Sequence, residues 1–142
     1  MVTRNAQRTE GDDDGRGTRV RRALLVEDHS VFREALAVIL EEHTDIKRTV
    51  QTRSLAEARQ AWGRLSGEID LVIVDIDLTN GDGISLIENL REAEPDIAVL
   101  ALTNAQSLEQ RAIALRAGAD EVLTMEVSTE RIINTAKKLV SE

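Results

Sequence analysis

Three short groups of polar side chains in the 142-residue chain have the types and spacing to do chemistry: Glu27-Asp28, Asp75 with Asp77, and Thr103-Asn104. Each group follows a run of aliphatic residues. Carboxylates brought within a few ångströms repel, and each disfavours ionisation of the others unless a cation intervenes. Oxygen ligands from a few carboxylates suit Mg²⁺, which keeps several waters and often bridges to a phosphate. With a metal at Glu27, Asp28 and Asp75, Asp75 becomes a nucleophile toward a phosphoryl group and forms an acyl phosphate. Thr103 then stands as a donor to a phosphoryl oxygen. One acid at a loop is an ordinary solvated residue, whereas four at the ends of two neighbouring strands would make a site.

The elements that must position these residues are legible in the hydropathy pattern. Residues 23–26, 69–74, 97–102 and 122–125 form short apolar runs, and a weaker run at 48–52 fits an additional edge strand. Helical stripes lie between them. Phe32, Ala35, Leu36, Ile39 and Leu40 form the first, and Leu55, Ala58, Trp62 and Leu65 the second. Ile84, Ile87 and Leu90 form a third, Leu108, Ala112 and Leu115 a fourth, and Ile132, Ala136, Leu139 and Val140 a fifth. Ser54 and Ser128 fall where helices start, and Gly67, Pro95 and Gly118 where they stop. Strands apolar throughout are buried on both faces, which means a parallel sheet covered by helices. Five right-handed βα units predict an α/β, flavodoxin-like (βα)5 doubly wound fold with strand order 2-1-3-4-5. In that order the first and third strands are neighbours, and Glu27, Asp28 and Asp75 converge in the crevice beyond their carboxyl ends.

Composition narrows the function classes. There is no cysteine, hence no disulfide framework and no thiolate ligand or nucleophile. No apolar run approaches a membrane span or a secretory core, so a cytoplasmic protein with no membrane partner is expected. Residues 1–22 carry six arginines and four acids in no periodic pattern, and read as a disordered tail with a charge of +2. Residues 23–142 therefore carry −10 of the net −8, which argues against direct nucleic-acid binding by this domain. His29 and His43 are assigned no chemistry. No glycine-rich phosphate loop is present.

At this point the chain resembles a known family. The segment ALLVEDHSVFREAL from Ala23 looks like the opening of a two-component response-regulator receiver domain, and DLVIVDIDLTNGDGI from Asp70 matches its phosphoacceptor segment. AVLALT from Ala98 and LRAGADEVL from Leu115 match two later blocks. The likeness runs from about Arg22 to Ser141 and is closest to the subfamily whose receivers usually precede a helix-turn-helix domain. It implies that Asp75 is charged by a histidine kinase or phosphotransfer protein, that Asp28 binds Mg²⁺ directly and Glu27 through water, and that the Asp77 carbonyl completes the protein ligands. It further implies that Thr103 is the switch hydroxyl, that Asp77 and Asn104 tune hydrolysis of the acyl phosphate, and that Gly83 permits the turn into the third helix. The face of the fourth helix, fifth strand and fifth helix is expected to bind partners or form a homodimer. The division expected is a tail at 1–22 and a receiver at 23–142, with no output domain.

Departures from the family pattern concentrate at the fifth strand. The family's lysine there, which pairs with the phosphoryl group, is replaced by Met125, and no Lys or Arg stands between Arg116 and Arg131. At about 4 Å and an effective dielectric near 20, a missing cation forfeits roughly 4 kcal/mol of gross attraction. Val122 takes the place of the family's aromatic, and Thr79 that of a loop proline. Weak phosphorylation, or phosphorylation poorly coupled to a conformational change, is the expected consequence. Two alternatives compete. One is a phosphorylation-independent pseudo-receiver that binds by contact. The other is a haloacid-dehalogenase-type phosphatase, suggested by the D-x-D-x-T string from Asp75, with Asp75 as nucleophile and Asp77 as acid/base. In that class the motif follows the first strand, which is not its place here.

Overall fold

Continuous aliphatic runs become strands with a helix layer on each face. The structure, a computed structural model, describes residues 20–78, 82–104 and 107–141, so most of the expected tail and Thr79 lie outside it. Its strands are β1 (Arg21–Val26), β2 (Ile46–Thr52), β3 (Leu71–Asp75), β4 (Ala98–Thr103) and β5 (Glu121–Thr124). The helices are α1 (Ser30–His43), α2 (Leu55–Arg64), α3 (Gly83–Ala93), α4 (Leu108–Ala117) and α5 (Thr129–Val140). The strands form one parallel sheet in the order β2-β1-β3-β4-β5, as the sequence predicts.

Alternation along each strand divides the core in two. Leu24 and Val26 of β1, Val72 and Val74 of β3, and Val99 and Ala101 of β4 face α2, α3 and α4, where Ala58, Leu86, Ile87, Leu90 and Ala114 are buried. Leu25, Ile73, Leu100, Leu102 and Leu123 face the other way, onto Leu36, Leu40, Ile132 and Ala136 of α1 and α5. Each fully buried Leu, Ile or Val contributes roughly 1.5–3 kcal/mol. Burial on both faces is why the runs lack polar positions. The chain leaves β1 toward β2 on one side and returns to β3 on the other, with Val26 beside Val74 in register. That reversal opens a crevice at the carboxyl ends of β1 and β3.

Ser54 and Ser128 cap α2 and α5 as expected, each side-chain oxygen accepting a backbone N–H from the first turn. Asp82 and Ser107 do the same for α3 and α4. Gly118 ends α4 at φ 127°, a conformation that favours glycine. Among the described residues no helix is long and apolar enough to cross a membrane.

Three expectations are corrected. Arg21 and Arg22 belong to β1 and not to a tail. The Arg22 amide donates to Asp70 Oδ2 at 2.8 Å, the Asp70 amide donates to the Arg22 carbonyl, and the Arg22 guanidinium pairs with Glu68 at 2.9 Å. On α1 the buried stripe is Arg33, Leu36, Ala37 and Leu40, and Ala35 is exposed. On α4 the two leucines of the expected stripe are turned outward, Leu108 83% and Leu115 43% exposed, while Ala114 is buried and Ala117 packs beside it. A methyl at the contact lets the helix lie close to the sheet, and the two leucines are left on the solvent side.

Candidate functional site

The carboxyl ends of β1 and β3 bring the predicted acids together. Asp75 is the last residue of β3 and is fully buried, and Glu27, the first residue past β1, is 2% exposed. Glu27 continues the sheet for one more bond, donating its amide to the Thr52 carbonyl at 3.0 Å. One ligand atom from each of Glu27, Asp28, His29 and Asp75 can be chosen so that all four lie within 4.8 Å of one another. Buried acids in such a group need a hydrogen-bond donor or a cation for each oxygen.

Only some of those oxygens have one. Asp75 Oδ1 accepts the Asp77 amide at 2.8 Å, and Glu27 Oε2 accepts the His29 amide at 2.8 Å and lies 2.7 Å from His29 Nδ1. Asp75 Oδ2 and Glu27 Oε1 are buried with no hydrogen-bond partner. Two orphaned buried carboxylate oxygens facing a cluster of acids fit a hard divalent cation. Without one, burial pushes the Asp75 carboxyl up to about 7; the Asp77 amide opposes the shift, and the charges of Glu27 and Asp77 add to it. The hydrogen bond and charge of Glu27 raise the His29 imidazole above its ordinary value.

Thr103 and Asn104, at the end of β4, complete the crevice through Asp77. The Thr103 hydroxyl donates to Asp77 Oδ2 at 2.9 Å, and the Asn104 amide donates to the same oxygen at 2.7 Å. Asp77 itself is exposed, so its carboxylate bridges the β3 and β4 ends from the solvent side. Gly83 is required here by close approach: a Cβ would lie 2.6 Å from Ile76 Cα and 3.1 Å from the Asp75 carbonyl. Met125 follows β5, donates its amide to the Thr103 carbonyl at 3.0 Å, and is half-buried against the α1/α5-side core.

Two residues join the site beyond those given a role from the sequence, His29 among them although it was assigned no chemistry there. His29 joins the acids because α1 starts immediately after them, so its ring lies beside Glu27. Arg33, 7% exposed, donates to the Glu27 carbonyl at 2.9 Å and to Gln51 Oε1 at 3.1 Å, tying α1 to the ends of β1 and β2. Its position between Phe32 and Leu36 on an apolar stripe was the available signal. His43 ends α1 away from the site.

The family model for the response regulator receiver domain matches residues 23–137. The virulence transcriptional regulatory protein PhoP of Salmonella typhimurium (strain 14028s / SGSC 2262) is 30% identical over 120 residues, which cover 84% of this chain and 51% of PhoP. The chain thus spans about half the length of the curated relatives it matches. A crystal structure of a response regulator protein from Burkholderia pseudomallei, with a phosphorylated aspartic acid, calcium ion and citrate, superposes with a TM-score of 0.72. It is 29% identical, over 85% of this chain and 69% of that one. The solution structure of the beryllofluoride-activated NtrC4 receiver domain dimer gives a TM-score of 0.76 at 28% identity, covering 84% and 96% of the two chains.

Proposed function

The chain belongs to the response-regulator receiver family, and from that premise we propose that Asp75 is its phosphoacceptor, served by Mg²⁺ and charged by a histidine kinase or phosphotransfer protein. The observation that carries this reading is the buried Asp75 carboxylate, one oxygen held by the Asp77 amide and the other without a partner, within a cluster that includes Glu27 and Asp28. In the transfer step an Asp75 oxygen attacks phosphorus, a new O–P bond forms, and the P–N bond of the donor phosphohistidine breaks. The departing imidazole keeps the electron pair of that bond. Glu27, Asp28, Asp75 and the Asp77 carbonyl would hold the Mg²⁺, which supplies neutralising charge for these acids and the incoming group.

Thr103 is the switch hydroxyl in this reading. Its bond to Asp77 is the one it would exchange for a phosphoryl oxygen, and Asp77 and Asn104 set how water reaches the acyl phosphate. Turnover on other substrates is not part of this role; self-phosphorylation and self-dephosphorylation are. Leu108 and Leu115 lie exposed on α4, which favours the α4–β5–α5 face for a homodimer or partner contact. A cytoplasmic location and an acidic body that does not itself bind nucleic acid complete the proposal. Transcriptional control, the role in the PhoP name, would be exerted through what that face engages.

The test is intact-mass measurement after incubation with acetyl phosphate, with and without Mg²⁺, for wild type, Asp75→Ala and Met125→Lys. Wild type should gain one phosphoryl group slowly and only with Mg²⁺, Asp75→Ala none, and Met125→Lys several-fold more. No gain by any of the three would leave a receiver fold that signals by contact alone.

A further inference from the structure

The acidic cluster contains a nitrogen donor that the proposed oxygen set leaves unused. His29 Nδ1 lies 2.7 Å from Glu27 Oε2 and 3.3 Å from Asp28 Oδ1, and the ring is 64% exposed. The His29 amide anchors its backbone to the same Glu27 oxygen at 2.8 Å. Glu27 Oε1 and Asp75 Oδ2, both on side chains at least nine-tenths buried, have no hydrogen-bond partner. One ligand atom from each of Glu27, Asp28, His29 and Asp75 lies within 4.8 Å of the others, so an imidazole shares the cluster with the acids that carry the two orphaned oxygens. A site of this kind is not a carboxylate-only site.

Donor type decides which cation such a site prefers. Mg²⁺ is hard, takes oxygen ligands in an octahedron and gives up its waters reluctantly, so an imidazole adds little to its binding. Late first-row ions accept imidazole readily, and their affinity rises along the series toward Ni²⁺ and Cu²⁺. We propose that His29 is a metal ligand that makes this site a mixed nitrogen–oxygen centre with a selective gain for Co²⁺, Ni²⁺ and Zn²⁺ over Mg²⁺. The inference rests on the reading of Glu27, Asp28 and Asp75 as the metal site, and it adds a specificity-determining residue to that set. In a cell the consequence is that the ion held at Asp75 depends on which divalent cation is available.

The experiment is calorimetric titration of wild type, His29→Gln and His43→Gln with Mg²⁺ and, separately, with Ni²⁺. His29 is mostly exposed and its glutamine variant keeps the backbone bond to Glu27, so folding is not at issue. The expected result is a tenfold or greater loss of Ni²⁺ affinity in His29→Gln, with Mg²⁺ affinity within about twofold of wild type. His43→Gln should match wild type for both ions. Pulsed electron paramagnetic resonance of bound Cu²⁺ gives an independent readout, with an imidazole nitrogen coupling present in wild type and absent in His29→Gln. Unchanged Ni²⁺ binding, equal losses for both ions, or a coupling that persists in His29→Gln would overturn the role of His29 and leave the Mg²⁺ site standing. Binding of neither ion by wild type would overturn both.

Discussion

The proposed role puts two properties of Asp75 in tension: it is buried, and to act as a nucleophile it would have to be ionised. Its carboxyl is pushed up to about 7 by burial first, with the charges of Glu27 and Asp77 adding to the shift. Because the folded value is raised above the unfolded one, the folded state binds the extra proton between about pH 4 and pH 7. This group therefore favours folding at low pH, and that contribution is lost as pH rises through about 7. Metal-free Asp75→Asn should consequently be more stable than wild type at pH 8, by roughly 2 kcal/mol, with the difference vanishing near pH 4. Urea titrations at the two pH values check this, and added Mg²⁺ should raise wild type more than the variant. Equal stability at pH 8 would remove the case for a strained carboxylate. Asp77 supplies a second residue-scale test. A double-mutant cycle of Asp77→Ala and Thr103→Val should show a coupling of roughly 1 kcal/mol, because the two side chains share one hydrogen bond. The acid triad was legible in sequence because three carboxylates at two strand ends leave a pattern. The hydrogen bonds of Asp77 to β4 were not, since they depend on a rotamer and on residues 26 and 27 positions away.

At the scale of elements, the start of α3 is held close to the end of β3. Gly83 lets α3 begin against Ile76, directly behind Asp75, and an added methyl must displace backbone. Gly83→Ala should cost roughly 2 kcal/mol net of its better helix propensity and should slow acetyl phosphate labelling, as denaturant titration and mass spectrometry would show. α4 is the opposite case. Ala114 is its buried side chain among the described residues, so α4 should be the first helix to exchange its amides, well before α3 or α5. Hydrogen exchange with peptide-level resolution checks this; protection of α4 equal to that of β3 would contradict it. Strands and three of the helix faces could be read from period alone. The face of α4 could not, because Leu108 and Leu115 satisfy the same spacing that a buried stripe would. The start of β1 was hidden too, since Arg21 and Arg22 carry a charged sequence into a strand whose partners, Glu68 and Asp70, lie more than forty residues away.

For the whole molecule, the parallel sheet and its strand order turn three separated sequence groups into one crevice. The same architecture carries Met125 beside Thr103, packed against the α1/α5-side core. The chain is a receiver in which a half-buried methionine stands beside the end of β4. In the proposed role the phosphoryl group goes to Asp75 and to no other acid of the cluster. The most direct measurement is reductive trapping of the acyl phosphate with borohydride after acetyl phosphate and Mg²⁺ treatment, followed by peptide sequencing in the mass spectrometer. Reduction at Asp75 alone, converted to homoserine, is the expected result. Reduction at Glu27, Asp28 or Asp77 instead, or at no residue while phosphoryl mass is gained elsewhere, would contradict it.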